Sequence, residues 1–513
     1  MSIESKHPDF IEVSDDYRVM RDTFAGERRI KEGTFAYLPP TGGQIADGAV
    51  RNVLSSGAIA YSNYLTRAVF PDFVNQAVQV MVGVMHREPA RIELPTALEP
   101  MRDNATRKGE TLLMLLRRIN EQQLVFGRHG ILIDFPQESF AASQAQVPHL
   151  VEYQAETIIN WDDERFTEFG VNVLNFLVLN ETVQVRGAGG IDIFDWEQER
   201  RFRVAHLEPL NPDLDVSASN PMVYKTFVEN DDVRTDEVTP MFQGRPLEEI
   251  PFVFIGANDM NLKPDEIPLL GLANLSLAIY RGEADFRQTL HLLGQDTLVI
   301  VGDENNSEGD LKDETQDTRV GAGAVIRIQA GEGSKAEFIG IDSKGAPEQA
   351  KALQADRRDA QSLGARLLEP RGTQAESGEA LKIRVAASTS TLHTIALTGA
   401  AGLEEILRKA AVWIGANPDE VKVIPNLDFA QETPDPEQLK NFAEAREAGA
   451  PISLESIHLW AQGKNFTKKT FEEEQPLLEK EQAERDERAT AIAEQTRANT
   501  PPGSDEPGEE TDG

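Results

Sequence analysis

Residues 269–368 consist of two helical stretches that enclose a short, acidic insert rich in predicted strands. Apolar residues in the first stretch are spaced by threes, fours and sevens, so they fall on one helix face. These residues are Leu272, Leu275, Ile279, Phe286, Leu290 and Leu293. The returning stretch has a second apolar stripe, made of Ala350, Leu353, Ala360, Leu363 and Leu367, and charged residues elsewhere. This order predicts a helical hairpin with a small head, which suits a subunit that lines a ring better than one that encloses a pocket.

The insert itself predicts three strands and one acidic loop. Apolar runs at 297–301, 324–328 and 338–341 are typical of strands. Between the first two, residues 303–317 contain seven acidic residues and Lys312, a net charge of −6. Part of this loop matches an EF-hand, but Glu308 stands where the sharp turn needs glycine. We therefore expect a solvated loop or a partner surface rather than a calcium site.

The rest of the chain predicts an α+β body. Helical periodicity covers 52–85 with a break at Pro71, and a second helix at 111–126 ends at Gly127, a typical C-terminal cap. A buried strand at 130–136 is followed by alternating apolar runs through 150–254, typical of strands and hairpins. After the hairpin, a helix is expected at 378–415, then a strand at 421–424 and helices at 434–448 and 453–462.

Composition excludes several classes of function. The 513 residues carry a formal charge of −35, which opposes tight DNA binding at long range but is compatible with a duplex that slides past an acidic wall. Simple solubility explains the same charge. The absence of cysteine excludes disulfides and thiolate metal sites. No run of 18 uncharged apolar residues occurs, so we expect a soluble, non-secreted protein without membrane contact.

Catalytic motifs are absent from the sequence. The eight histidines form no H-E-x-x-H pair, and neither a phosphate-binding P-loop nor a G-x-S-x-G motif is present. We therefore predict no catalytic residue, no metal and no cofactor. Six basic residues remain open to two interpretations: exposed ion pairs with Glu348 or Asp359, or channel residues that meet passing phosphates singly. They are Lys351, Arg358, Arg366, Arg371, Lys382 and Arg384.

Five stretches of the sequence are similar to one family, the portal (head-to-tail connector) proteins of tailed bacteriophages. They are Tyr61 to Phe73, Gly127 to Pro136, Glu156 to Trp161, Ile250 to Phe254, and Pro268 to Ala273 together with Tyr280 to Asp285. The resemblance covers about 61–416. The order of these stretches, joined to the helix, insert, helix and long final helix, is more specific than any one of them. Most of the matching residues are packing residues, so the resemblance transfers a fold more directly than a mechanism.

The resemblance implies a portal architecture within the α+β class. The implied parts are an N-terminal arm (1–60), a wing (61–267), two stem helices (268–294 and 345–369), a clip (295–344), a tunnel loop with a long wing helix (370–430), a helical crown (431–490) and a disordered acidic tail (491–513). Stem packing falls on Leu272, Leu275, Ile279, Phe286 and Leu290. The partner-facing clip residues are Asp303, Glu304, Asp310, Asp313 and Glu314.

The resemblance also implies a function and partners. Portal proteins form a ring, expected to be a homododecamer, at one capsid vertex of the virion, and they assemble in the host cytoplasm. The ring is a channel for packaging and ejection of double-stranded DNA. It is a docking platform for the terminase large subunit, the major capsid and scaffolding proteins, and adaptor or tail proteins. Two alternatives stay open: a metal-dependent enzyme of phage or host polymers, and a capsid-interior or adaptor protein.

Overall fold

The computed structural model describes most of the chain and divides it into two compact units, Met1–Phe429 and Ala430–Gly513. The described residues are 3–134, 148–162, 165–166, 172–186, 194–214, 216, 220–230, 233–242, 245–294, 297–302, 325–329, 335–339, 345–365, 378–429, 436–451, 453–463, 467 and 469–498. They form a mixture of helices and strands, so the α+β class predicted from the sequence is confirmed.

Nine α-helices are described in the first unit and three in the second. The first unit contains α1 (Pro8–Ala25), α2 (Glu27–Glu32), α3 (Gly42–Ala46), α4 (Ser56–Arg67), α5 (Phe73–Met85), α6 (Leu112–Phe126), α7 (Leu270–Leu293), α8 (Ala346–Ala365) and α9 (Gly378–Ile414). The second contains α10 (Pro436–Glu447), α11 (Leu454–Gly463) and α12 (Phe471–Ala498). Helix α12 therefore includes 491–498, the first eight residues of the predicted disordered tail. Within the described residues, no helix has the length and apolarity that crossing a bilayer requires.

Two sheets form the β part of the body. The five-stranded sheet has the order β12-β11-β10-β7-β4 and the three-stranded sheet the order β15-β2-β3. Their strands are β2 (Arg128–Asp134), β3 (His149–Gln154), β4 (Ile158–Asp162), β7 (Phe176–Asn180), β10 (Arg201–Pro209), β11 (Met222–Asn230), β12 (Val233–Arg234) and β15 (Phe252–Gly256). Every pairing in these two sheets is antiparallel.

Short strands pair elsewhere in the first unit. The pair β1 with β19 joins residues far apart in the chain, and three further pairs are β5 with β6, β8 with β9 and β13 with β14. Their bounds are β1 (Arg91–Glu93), β5 (Arg165–Phe166), β6 (Asn172–Val173), β8 (Val183–Arg186), β9 (Trp196–Glu199), β13 (Met241–Phe242), β14 (Arg245–Pro246) and β19 (Lys422–Ile424).

The insert between α7 and α8 contains a separate three-stranded sheet. Its strands are β16 (Thr297–Gly302), β17 (Val325–Gln329) and β18 (Lys335–Ile339). The central strand β16 pairs with β17 in parallel and with β18 antiparallel. The three predicted strands are thus confirmed, with the third beginning three residues earlier than predicted. The acidic loop between β16 and β17, with Asp303, Glu304, Asp310, Asp313 and Glu314, lies outside the described residues.

Capping residues set the ends of the helices that the sequence predicts best. Thr111 accepts a hydrogen bond from the amide of Met114 and begins α6, and Gly127 ends it with a φ of +68°. A Cβ at Gly127 would also lie 3.1 Å from the carbonyl oxygen of Glu266, so the position favours glycine for both conformation and space. Gly415, with a φ of +74°, follows the last residue of α9 in the same way.

Helix α9 buries a stripe of apolar residues along its length. The buried members are Leu392, Ala396, Leu403, Leu407 and Ala410. The first two belong to the largest apolar core, which also contains residues of α1, α5, α7 and α8. The other three pack with α6, β2 and β15 in a second core. The long helix therefore contributes side chains to two apolar cores of the first unit.

Candidate functional site

Helices α7 and α8 pack closely as an antiparallel pair. Gly282 faces Leu353, and a Cβ at Gly282 would lie only 2.9 Å from a Leu353 methyl group. Near the other end of the pair, Gly364 faces Leu272. Leu353 is 7% exposed and Ala360 is 1% exposed, so the apolar stripe of α8 is buried at these positions. Glycine at 282 leaves space for the Leu353 side chain, which would have to move if residue 282 had a Cβ.

A buried carboxylate links the same two helices. Glu283 of α7 is 5% exposed and accepts hydrogen bonds from Arg287, at 2.6 Å, and from Arg357 of α8, at 2.7 Å. A buried charge is tolerated when partners neutralise it and satisfy its oxygens. Two half-exposed guanidinium groups do so here. The pair of helices is thus fixed both by apolar packing and by one ionic bridge.

Four of the five predicted stem-packing residues contact the core of their own chain. Leu272 and Ile279 are 4% and 0% exposed and belong to the largest core. Leu275 and Phe286 are partly buried against it, and Leu290 is 48% exposed. The first half of α7 is therefore built into the body. Near the C-terminal end of α7, the Leu290 side chain is accessible to solvent.

Helix α7 is buried on a second face that the single predicted stripe did not include. Leu277, Tyr280 and Ala284 belong to a third apolar core shared with α4. The ring of Tyr280 lies 5.8 Å from the ring of Phe70 in an edge-on contact. These three residues are also spaced by three and four, so the sequence contained a second apolar stripe beside the predicted one.

Two of the stretches that resemble portal proteins meet on this second face. The Tyr64 hydroxyl donates to an Asp285 carboxylate oxygen at 2.5 Å, and the Arg67 guanidinium donates to the side-chain oxygen of Gln288. Arg281 donates to the backbone oxygen of Tyr37 at 2.9 Å. Burial and the hydrogen bond to Asp285 raise the pKa of Tyr64, so the phenol stays neutral and remains a donor.

The other three stretches meet around one buried arginine. The Arg128 guanidinium lies 4.3 Å from the ring centroid of Trp161 and 4.0 Å from that of Phe254. It donates to the backbone oxygen of Leu262 at 2.6 Å. Burial lowers the pKa of Arg128 to about 10, so the side chain is still a cation at neutral pH and stacks as one on both rings. His7 stacks on the opposite side of this aromatic group, 4.2 Å from Trp161.

The structure places two of the six candidate channel residues. Lys351 and Arg358 are exposed on α8, and Lys351 forms an ion pair at 2.7 Å with Glu348, one turn before it. Both side chains of that pair are 71% exposed, as the interpretation of a surface ion pair predicts. Arg366 and Arg371 lie outside the described residues. Lys382 and Arg384 belong to α9, and their side chains lie outside the described part.

One cluster of potential metal ligands was missed by sequence reasoning. Among the described residues, His206 and Glu208 of β10 and Glu237 bring three ligand atoms within 4.8 Å of one another. The ammonium group of Lys225 already lies 3.0 Å from Glu208 and 3.7 Å from Glu237. Lys225 is opposite His206 in the sheet register, so it supplies the positive charge that an ion would otherwise bring. The alternation of His206 and Glu208 on one strand face was the only signal available in the sequence.

The fold and site define an α+β protein with a helical hairpin that carries a small sheet and leads into a long helix. A family described as "Domain of unknown function (DUF4055)" matches residues 268–414, which include α7, the insert, α8 and α9. No curated protein matches the chain.

Several solved structures are similar to the chain at low sequence identity. A chain of the "Neck of native GTA particle computed with C12 symmetry" is 14% identical, with a TM-score of 0.34, over 82% of this chain and 97% of that one. A chain of the "Neck of empty GTA particle computed with C6 symmetry" is 12% identical, with a TM-score of 0.35, over 82% and 92%. A chain of the "Virion of native gene transfer agent (GTA) particle" is 14% identical, with a TM-score of 0.34, over 76% and 89%.

Proposed function

We propose that this chain is a structural protein of the head-tail junction of a phage-like particle, and specifically its portal protein. One observation carries the proposal. All five stretches that resemble portal proteins meet in two packed groups, one on the second buried face of α7 and one around Arg128. The stretches are up to 221 residues apart in the sequence, so their convergence supports one shared architecture rather than five unrelated matches.

The described elements suit the parts of a portal subunit. In this proposal, α7 and α8 are the stem, and the sheet β16 to β18 belongs to the clip. The α+β body with α9 is the wing, residues near 370–380 are the tunnel loop, and α10 and α11 belong to the crown. Strands β17 and β18 each have one unpaired edge within the described sheet. An open edge is a liability in a lone subunit, but neighbouring subunits of a ring can cover it.

The proposed ring conducts DNA and binds the packaging machinery without performing chemistry of its own. Double-stranded DNA passes through it with weak, non-specific contacts. The terminase large subunit docks on the acidic clip, capsid and scaffolding proteins contact the wing, and adaptor or tail proteins follow after packaging. The net charge of −35 supports passage rather than tight binding, because an acidic wall repels phosphates.

The mass of the purified chain at neutral pH tests the proposal. One subunit has a mass of 56.7 kDa, so a twelve-membered ring has 12 × 56.7 = 680 kDa, measurable by native mass spectrometry and visible as rings by negative-stain electron microscopy. A monomer or dimer under every solution condition would contradict the proposal. A capsid-interior or adaptor protein is distinguished by the same measurement, because it would assemble only when its partner is added.

The His206, Glu208 and Glu237 cluster provides the test of an enzymatic alternative. If those residues held a catalytic divalent ion, Glu208→Gln would abolish a metal-dependent activity on a phage or host polymer while leaving assembly unchanged. If they form only a charged surface with Lys225, the variant assembles normally and no metal-dependent activity exists to lose. The portal proposal expects the second result.

A further inference from the structure

A long segment near the N-terminus is almost free of charge. Between Glu32 and Arg67, residues 33–66 contain only Asp47 and Arg51, so 34 residues have a net charge of zero. At the 27% charged content of the whole chain, the same length would carry about nine charged residues, since 34 × 0.27 ≈ 9. A neutral segment of this length in a chain of net charge −35 requires an explanation other than solubility.

This segment has a defined fold of its own. The Thr41 hydroxyl and the Gln44 side chain form a reciprocal capping box at the start of α3. The amide of Gly57 donates to the backbone oxygen of Asp47, and a Cβ at Gly57 would lie 2.2 Å from the backbone oxygen of Gln44. The turn after α3 and the start of α4 therefore pack against each other closely through their backbones.

The same segment exposes a group of large apolar side chains. Val53 and Leu54 are 88% and 86% exposed, and the others lie between 50% and 59%. We call the set Ile45, Val50, Val53, Leu54 and Ile59 the neutral apolar surface. Single exposed apolar side chains are common, but a folded segment that presents five of them within 15 residues is typical of a surface that another molecule covers.

We propose that the neutral apolar surface packs against a second copy of this chain. The inference rests on the proposed ring and identifies a surface through which its subunits meet. Two copies that each carry −35 repel each other most weakly where a neutral surface is in contact, whereas a partner chosen by opposite charge would bind the acidic surface instead. DNA is a poor occupant because Arg51 is the only basic residue in the segment.

The geometry of a ring makes the contact heterologous. In a closed head-to-tail ring, a surface on one subunit covers a different face of its neighbour, and every copy uses the same pair of faces. The neutral apolar surface is then buried in every subunit of the ring and exposed in every free subunit. This difference between the free and assembled states can be measured at a single residue.

The absence of cysteine makes that measurement direct. In the full-length chain, Val53→Cys introduces the only thiol, at a position 88% exposed in one subunit. Assembled material, separated by size, is treated with a maleimide and its labelling rate is compared with that of free subunits. We expect labelling in the assembly to be slower by roughly tenfold or more, because a buried thiol is inaccessible to the reagent. Gln482→Cys, on an exposed face of α12, is the matched control.

The outcomes distinguish the inference about the neutral apolar surface from the proposal that the chain forms a ring. Rings that form normally and label equally fast at Cys-substituted positions 53 and 482 overturn the inference and leave the proposed function standing. A parent chain that never assembles overturns both. Protection of position 53 only after another protein or lipid vesicles are added assigns the surface to that partner and overturns the inference.

A charge-insertion pair provides an independent test of the same inference. Val53→Asp combined with Leu54→Asp places two charges on the neutral apolar surface, and we expect folded subunits that no longer assemble. Ile11→Asp, at a residue 59% exposed on α1, is the control and should assemble as the parent does. Circular dichroism and thermal unfolding confirm that each variant is folded. Normal rings from the double variant overturn the inference.

Discussion

One histidine of this chain shows how burial changes the protonation of a side chain. His129 lies on β2 beside Arg128 and is 1% exposed, and within the described part of the chain neither of its ring nitrogens contacts a hydrogen-bonding partner. Burial lowers the pKa of His129 to about 3, and the nearby positive charge of Arg118 acts in the same direction. The unfolded chain therefore binds a proton at this residue at a higher pH than the folded chain does.

Replacing His129 should make stability less sensitive to acid. A group whose pKa is depressed by folding contributes its stability above the unfolded pKa, here 6.5, and loses it as the pH falls toward the folded value. Between those values the loss approaches about 1.4 kcal/mol per pH unit. We expect His129→Leu to show a correspondingly smaller fall in the free energy of unfolding between about pH 6 and about pH 4. Urea titrations at several pH values provide the measurement.

The pH dependence itself makes the His129 experiment decisive. Identical slopes for the parent and His129→Leu would show that His129 does not titrate in the way its burial requires. The free energy at neutral pH is compared separately, because the new side chain also changes the packing there.

At the scale of elements, the close approach of α7 and α8 depends on one glycine. Gly282→Val adds a branched side chain where Leu353 is already within 2.9 Å of the added Cβ position. We expect a loss of about 1 to 3 kcal/mol in the free energy of unfolding, since overpacking separates the helices or distorts side chains. Gly271→Val, on the same helix with nothing within 4 Å of its Cβ position, is the matched control. Denaturant titration of both variants provides the comparison, and equal stabilities would contradict the expected close packing.

The sequence predicted the helices and strands better than it predicted which of them pack together. Helix α6 begins after Thr111 and ends before Gly127, as its capping residues predict. Helix α9 covers Gly378–Ile414, close to the predicted 378–415. A periodic stripe shows that one face is buried, but it does not identify what buries it. The hydrogen bond from Tyr64 to Asp285 joins residues 221 positions apart, so local spacing could not show which segment covers the second buried face of α7. The sequence predicted the helical hairpin of α7 and α8 and the small sheet between them. It did not predict how α7 packs against the rest of the first unit.

Exposed apolar residues were the least predictable feature of the first unit. Val53 and Leu54 look like core residues in the sequence, and the helical periodicity that begins near residue 52 favoured burial. In the structure α4 begins at Ser56, and the two residues lie before it in a turn with more than four-fifths of their surface exposed. Periodicity fails here because it reports that a face is apolar and cannot tell whether the covering molecule is the same chain or another one.

At the scale of the whole molecule, the proposed ring must overcome the net charge of its subunits. Twelve copies of a chain with charge −35 would bring a total charge of 12 × −35 = −420 together, so such a ring would form against electrostatic repulsion. We expect the assembled fraction to increase as ionic strength rises from about 0.01 M to about 0.15 M, because the screening length falls from about 30 Å to about 8 Å. Sedimentation velocity measures the fraction directly. An assembled fraction that falls with added salt would indicate that ion pairs, rather than apolar contacts, hold the copies together.

DNA passage is the property of the whole ring that its basic residues should affect. Arg371 lies within the proposed tunnel loop and Lys382 follows it closely. Exchanging both for glutamate should lower the yield of DNA-filled particles severalfold while rings still form, because passing phosphates would meet two negative charges in place of two positive ones. The exchange changes the net charge by −4, to −39. Lys440→Glu with Arg446→Glu makes the same change at exposed positions on α10 and is the control. Reduced packaging in both double variants would assign the effect to net charge, and unchanged packaging in the first would remove Arg371 and Lys382 from the channel.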